Sequence, residues 1–146
     1  MHESIIMTPE ECETVLRSGV VGRMGLNTPT GPHIIPVNYA VVDDALVVRT
    51  DPDGILGTWT RNSPLVFEVD HIDHEWQWGW SVSARGVGEW VSDPDELARI
   101  LLVWAPRPWA TGDRTRFIRL PWTEITGRKL GRGWNPIASM PARRLL

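Results

Sequence analysis

Between His33 and Asp70 the chain is written in short apolar runs, Ile34-Ile35-Pro36-Val37-Asn38-Tyr39, Leu46-Val47-Val48-Arg49-Thr50 and Val66-Phe67-Glu68-Val69-Asp70. Each is too short for a helix, rich in β-branched residues, and bounded by Pro, Gly, Asn or Asp, which is the signature of successive strands. That pattern limits the chain to a mainly β fold. Two polar interruptions stand out: Asn38, and the pair Arg49-Thr50 at a strand end. A planar guanidinium beside a hydroxyl suits an anion such as a phosphate, because it makes bidentate, charge-assisted bonds to oxyanions.

The rest of the sequence agrees with such a fold. Thr8-Pro9-Glu10-Glu11 is a capping box with proline at the first helical position, and predicts a short helix over 9–17. Strands are expected over 20–26, 33–40, 45–50 and 65–70, with Asp43-Asp44 turning the run 33–40 into 45–50 as an antiparallel hairpin. One or two helical turns are expected over 55–61. Residues 76–90 alternate with period two, so Trp76, Trp78 and Trp80 fall on one face of a long strand. Those tryptophans suit either a planar ligand or a dimer interface or barrel plug. Asp93-Pro94-Asp95-Glu96 starts another helix, with Leu97, Ile100, Leu101 and Trp104 on its apolar face; a loop over 107–113 leads to a last strand over 114–125. There is no βαβ rhythm and no glycine-rich phosphate loop. A small antiparallel barrel with two or three covering helices follows.

At 146 residues the chain reads as one domain, 1–146, able to bury roughly two thirds of its unfolded surface, with 131–146 as a Gly-, Pro- and Arg-rich tail. No apolar run is long enough to span a membrane and no secretion signal is evident, so a cytoplasmic protein is expected. Charge is uneven. Residues 1–105 carry six arginines against sixteen acids, whereas 106–146 carry eight arginines and Lys129 against Asp113 and Glu124. The cationic tail suits docking on the acidic body or on a partner subunit, or else an anionic ligand. No nucleic-acid motif is present. Cys12 alone permits neither a disulfide nor a cysteine metal cluster. The run Asp70-His71-Ile72-Asp73-His74-Glu75 has ligand types without metal-site spacing and reads as a solvated turn, so no metal is expected. No residue carries the label catalytic; Tyr39 is either a proton donor or a buried tyrosine with a locally bonded hydroxyl.

Taken in order, Gly22-Arg23-Met24-Gly25, Ile35-Pro36-Val37-Asn38-Tyr39, Val48-Arg49-Thr50, Phe67-Glu68-Val69-Asp70, Gly79-Trp80-Ser81-Val82 with Arg85-Gly86, and Ile125-Thr126-Gly127-Arg128 resemble the pyridoxamine 5′-phosphate oxidase-like proteins of the FMN-binding split-barrel superfamily. The resemblance covers about residues 7–130. It implies a six-stranded split antiparallel β-barrel, a homodimer with two flavin sites between subunits, and oxidation or reduction of a small organic molecule with FMN or the deazaflavin F420. It implies cofactor contacts from Pro36, Val37 and Asn38 at the isoalloxazine edge, from Arg49 and Thr50 at the phosphate, and from Leu56, Trp80, Ser81 and Arg128 near the same cleft. One departure matters. Members usually place a lysine shortly after the Arg-Thr pair, whereas this chain reads Asp53-Gly54-Ile55-Leu56. Losing that charge-assisted contact costs about 1.5–3 kcal/mol, roughly ten- to a hundredfold in affinity. The departure, with nine tryptophans, leaves a second reading: a flavin-free split barrel that binds an aromatic or hydrophobic ligand in a Trp-lined cleft as a carrier, sensor or cofactor-independent enzyme of secondary metabolism.

Overall fold

The computed structural model describes residues 2–104, 114–141, 143 and 144. The loop expected over 107–113 lies outside them. The chain opens with a short strand, β1 (Ser4–Ile6), and helix α1 (Pro9–Ser18). The capping box is formed in both directions: Thr8 Oγ1 accepts from the Glu11 amide and Glu11 Oε1 accepts from the Thr8 amide, each at 3.2 Å. The helix buries Cys12, Val15 and Leu16 against the sheet. Burial pushes the Cys12 thiol up, with the Glu11 charge adding to the effect, so this cysteine is core packing.

Two long strands follow, β2 (Val21–Thr28) and β3 (Gly31–Asn38), joined by the two-residue loop 29–30. β3 pairs with β2 alone, an edge position that tolerates the missing amides of Pro32 and Pro36. The expected hairpin between 33–40 and 45–50 does not form. Tyr39 turns its ring into the core, the strand breaks there, and a separate three-residue strand, β4 (Ala40–Val42), pairs with β5 (Ala45–Thr50) through the turn at Asp43, whose φ is 55°.

The one-turn helix α2 (Ile55–Trp59) leads to β6 (Pro64–Asp73). β6 pairs along its whole length with β7 (Trp78–Val87). The expected single strand over 76–90 is therefore shorter. At one end, Asp73 Oδ1 accepts from the amides of Glu75 and Trp76 and draws Trp76 into a turn. At the other end, Gly88 packs against the Thr60 carbonyl and releases the chain into β8 (Glu89–Trp90). Asp93 caps helix α3 (Pro94–Val103), whose Ile100 is buried while Leu101 lies outward and 47% exposed. The last strand, β9 (Arg116–Leu130), runs five residues further than expected and carries Thr126-Gly127-Arg128 within it.

The sheet order β3-β2-β6-β7-β9-β5-β4 is antiparallel at every pairing. β1 and β8 add to β9. Among the described residues nine strands are thus formed, three of them of two or three residues, where six were expected. β9 joins the two halves: residues from Arg116 to Pro121 pair with β5, and residues from Trp122 to Lys129 pair with β7. A bulge at Arg85/Gly86 marks the switch. A Cβ at Gly86 would overlap the Pro121 carbonyl, so only glycine lets the two backbones approach there. The interior is filled by Met24, Leu26, Leu46, Val48, Phe67, Val69, Val82, Ile118 and Leu120, with α1 over one opening. A second cluster, Ala40, Val42, Val47, Phe117, Ile100 and Trp104, holds α3 against the other side of β5.

The tail docks on the barrel. Trp134 stacks on Trp78 with centroids 5.2 Å apart, Ser139 Oγ accepts the Trp80 indole N–H at 2.9 Å, and Arg144 donates to the Tyr39 carbonyl at 2.8 Å. No described helix is long and apolar enough to cross a membrane.

Candidate functional site

β5 places four successive buried residues, Ala45 to Val48, before Arg49. Leu46 and Val48 face the barrel interior, Val47 faces α3, and Arg49 follows Val47 onto that side. The Arg49 guanidinium lies over the Phe117 ring, 5.3 Å from its centroid, and its Nε donates to the backbone carbonyl of Arg114. Among the described residues its two terminal nitrogens make no hydrogen bond. A guanidinium so held by Nε and by a ring face keeps its paired N–H groups for an oxyanion.

The cleft that Arg49 and Thr50 border has a volume of about 610 Å³. One wall is the edge strand β3 with its neighbour, through Val21, Ile35, Pro36, Val37 and Asn38; the opposite wall is Gly54, Ile55 and Leu56 at the start of α2. Asp51 is also on the rim, and its carboxylate accepts the Asp53 amide at 2.8 Å. The site thus joins an apolar slot to a cationic end. That size and composition fall within the range of small-molecule sites.

Of the residues singled out from sequence, Pro36, Val37, Asn38, Arg49, Thr50 and Leu56 come together in this cleft. Trp80, Ser81 and Arg128 do not join them. They line a second cleft of about 460 Å³, with Ser81 and Arg128 paired in register across β7 and β9. The Trp80 ring is buried in the core. Ile55, at the position where a lysine was looked for, lines the first cleft and is 40% exposed. Arg114 was missed. It lies 65 residues beyond Arg49, and no local pattern marks it; only the fold brings it to the cleft.

Tyr39 is fully buried and its hydroxyl donates to the Leu16 carbonyl at 2.6 Å. Burial pushes the phenol far above its ordinary value, so it holds its proton at any physiological pH. Arg23 lies between Glu68, which accepts from it, and Asp70 at 2.6 Å, on the sheet face opposite the core. Burial, together with the hydrogen bond and charge of Asp70, raises the Glu68 carboxyl above its ordinary value despite Arg23. Arg23 is held more basic by the same pair because two anions face it. No group of three metal-ligating side chains forms among the described residues.

Fold and site define a split-barrel protein with an arginine-rimmed, apolar-walled cleft at the end of β5. The sequence matches the family described as pyridoxamine 5′-phosphate oxidase over residues 8–129, and the chain belongs to that family. A relative in Mycobacterium tuberculosis, the uncharacterised protein Rv0080, is 31% identical over 103 residues, covering 67% of this chain and 68% of its own. The FAD-binding protein of Mycobacterium smegmatis superposes with a TM-score of 0.71 at 30% identity, over 86% of this chain and 97% of that one. A conserved protein of unknown function, DIP1874 of Corynebacterium diphtheriae, superposes with a TM-score of 0.71 at 27% identity, over 87% and 98% respectively.

Proposed function

We propose that the chain binds a flavin in the Arg49 cleft and works as an oxidoreductase on a small organic molecule, with FMN as the cofactor. The observation that carries this is the meeting, in one cleft, of an apolar slot and a guanidinium whose terminal N–H groups make no hydrogen bond among the described residues. Arg49 and Thr50 hold the phosphate; Val21, Ile35, Pro36, Val37 and Leu56 enclose the ring and keep water from it. A bound flavin supplies the hydride or electron transfer. The FAD-binding relative supports a flavin, since FAD and FMN share the isoalloxazine ring and its nearest phosphate. F420 is the competing cofactor, with a polyanionic tail that suits the arginines of the C-terminal segment.

The working unit we propose is a homodimer. Ile34, at 75% exposure, Ile72, at 66%, and Val66 lie on the outer face of the sheet around the Arg23 cluster, which is unusual for a lone subunit and fits a second copy. The test of the flavin reading is fluorescence titration with FMN and F420 of the wild type and of Arg49→Ala. Saturable FMN binding that weakens more than about tenfold in the variant supports it; equal affinity in both proteins refutes it.

A second reading rests on the Trp78–Trp134 stack beside Trp76: a flavin-free protein that takes an aromatic ligand in the second cleft. Quenching of tryptophan emission by aromatic ligands, with no response to FMN, favours it.

A further inference from the structure

Val21 and Asn38 pair in register where β2 begins and β3 ends, and both line the Arg49 cleft. What holds that corner lies one residue away on each strand. The Tyr39 amide donates to the Val20 carbonyl at 2.9 Å, and the Tyr39 carbonyl accepts from the Arg144 guanidinium at 2.8 Å. Both peptide groups of Tyr39 are therefore tied, one to the neighbouring strand and one to the C-terminal tail. Arg144 is fixed in turn by its own amide, which donates to the Ser18 carbonyl at the end of α1 at 2.8 Å. Three stretches far apart in sequence meet here: the end of α1, the break between β3 and β4, and the tail, which lies beyond the matched residues 8–129.

The tie is a weak one. Arg144 is half-buried, burial lowers its guanidinium from the ordinary value, and among the described residues no carboxylate pairs with it. A cation desolvated against a carbonyl dipole gains little over its solvated state. The end of the tail is therefore held by a balance that a change at the cleft wall can tip. The other tail contacts, the Trp134–Trp78 stack and the Ser139–Trp80 bond, involve β7 and none of the wall residues.

We propose that Arg144 is a positioning residue for the cofactor cleft, and that docking of the tail end and occupancy of the cleft strengthen one another. The inference rests on the flavin reading and adds to it a residue from outside the cleft. Arg144 touches no part of the ligand. It holds the Tyr39 carbonyl, and through it the Val21–Asn38 corner that encloses the flavin ring. A ring seated in the cleft holds the same corner in the same place, so each event favours the other by an equal factor.

The test is titration of FMN and of riboflavin into the full chain, as wild type and as Arg144→Gln, each verified as folded by circular dichroism. Hydrogen exchange of the tail amides, that of Arg144 among them, is followed in the wild type with and without saturating FMN. Expected is a rise of about fivefold or more in both dissociation constants in Arg144→Gln, and exchange of the tail amides slowed by FMN to the same degree. A folded Arg144→Gln with wild-type affinity, or tail exchange indifferent to FMN, overturns the inference and leaves the flavin reading standing. A loss confined to FMN also overturns it, because the effect would then lie at the phosphate and not at the wall around the ring. A wild type that binds neither ligand removes the flavin reading and this inference with it.

Discussion

Tyr39 Oη donates a 2.6 Å hydrogen bond to the carbonyl of Leu16 in the last turn of α1, and both residues are fully buried. The bond gives a helix-end carbonyl a second, shorter hydrogen bond beside the one from the Gly19 amide at 3.4 Å. It also fixes where β3 ends, because the ring leaves the strand direction immediately after Asn38, and so it sets one end of the cleft wall. Tyr39 is accordingly a structural residue and not a proton donor.

Removing that hydroxyl should cost stability and nothing else. Tyr39→Phe removes the shorter of the two hydrogen bonds to the Leu16 carbonyl and leaves the one from Gly19, and a loss of about 0.5–1.5 kcal/mol in urea unfolding is expected. Flavin affinity of the folded variant should be unchanged. Gly19→Ala should be worse, since its Cβ would overlap the same hydroxyl.

Gly86→Ala tests the split of the sheet. The added methyl meets the Pro121 backbone carbonyl, which cannot move without disturbing β5 as well as β7. A destabilisation of about 1–3 kcal/mol, read by thermal denaturation, is the expected outcome. A melting temperature equal to the wild type's would show that β9 does not bend as described.

The Arg23–Glu68–Asp70 cluster gives a pH dependence with a definite sign. Burial raises the Glu68 carboxyl above its unfolded value, so the folded chain binds its proton more tightly than the unfolded chain does. Its contribution to stability is greatest below about pH 4 and is lost as pH rises through the folded value. The stability of the wild type relative to Glu68→Gln, from urea midpoints at successive pH values, should therefore fall from acid toward neutral pH. A difference that grows toward neutral pH would mean that the attraction of Arg23 outweighs burial.

The sequence made some of this legible and hid the rest for physical reasons. The capping box of α1, the Asp93 cap of α3 and the Arg49-Thr50 pair at the end of β5 are local signals, and each stands where its residues suggest. The partner of β3 was misread because alternation gives the strand but not its neighbour, and the break at Tyr39 depends on a contact 23 residues away. Residues 76–90 have the right period throughout, yet Asp73 and Gly88 cut them at both ends through contacts with β6 and α2. Arg114 belongs to the cleft only because β9 pairs with β5.

The tail should contribute to stability through a few specific bonds. Burial lowers the Arg144 guanidinium from its usual value, yet its side chain donates to the Tyr39 carbonyl and its amide to the Ser18 carbonyl at the end of α1, both at 2.8 Å. Arg144→Ala should cost about 1–3 kcal/mol. Ending the chain after Leu130 should also uncover Trp78 and Trp80, which a red shift of tryptophan emission would report. An unshifted spectrum would show that the tail does not cover them.

The most direct measurement is the visible absorption spectrum of the protein after mixing with FMN and removal of excess by gel filtration. The account predicts flavin bands that co-elute with the protein in stoichiometric amount, and their loss from Arg49→Ala. A colourless wild-type fraction, with FMN fluorescence unchanged by added protein, would contradict it.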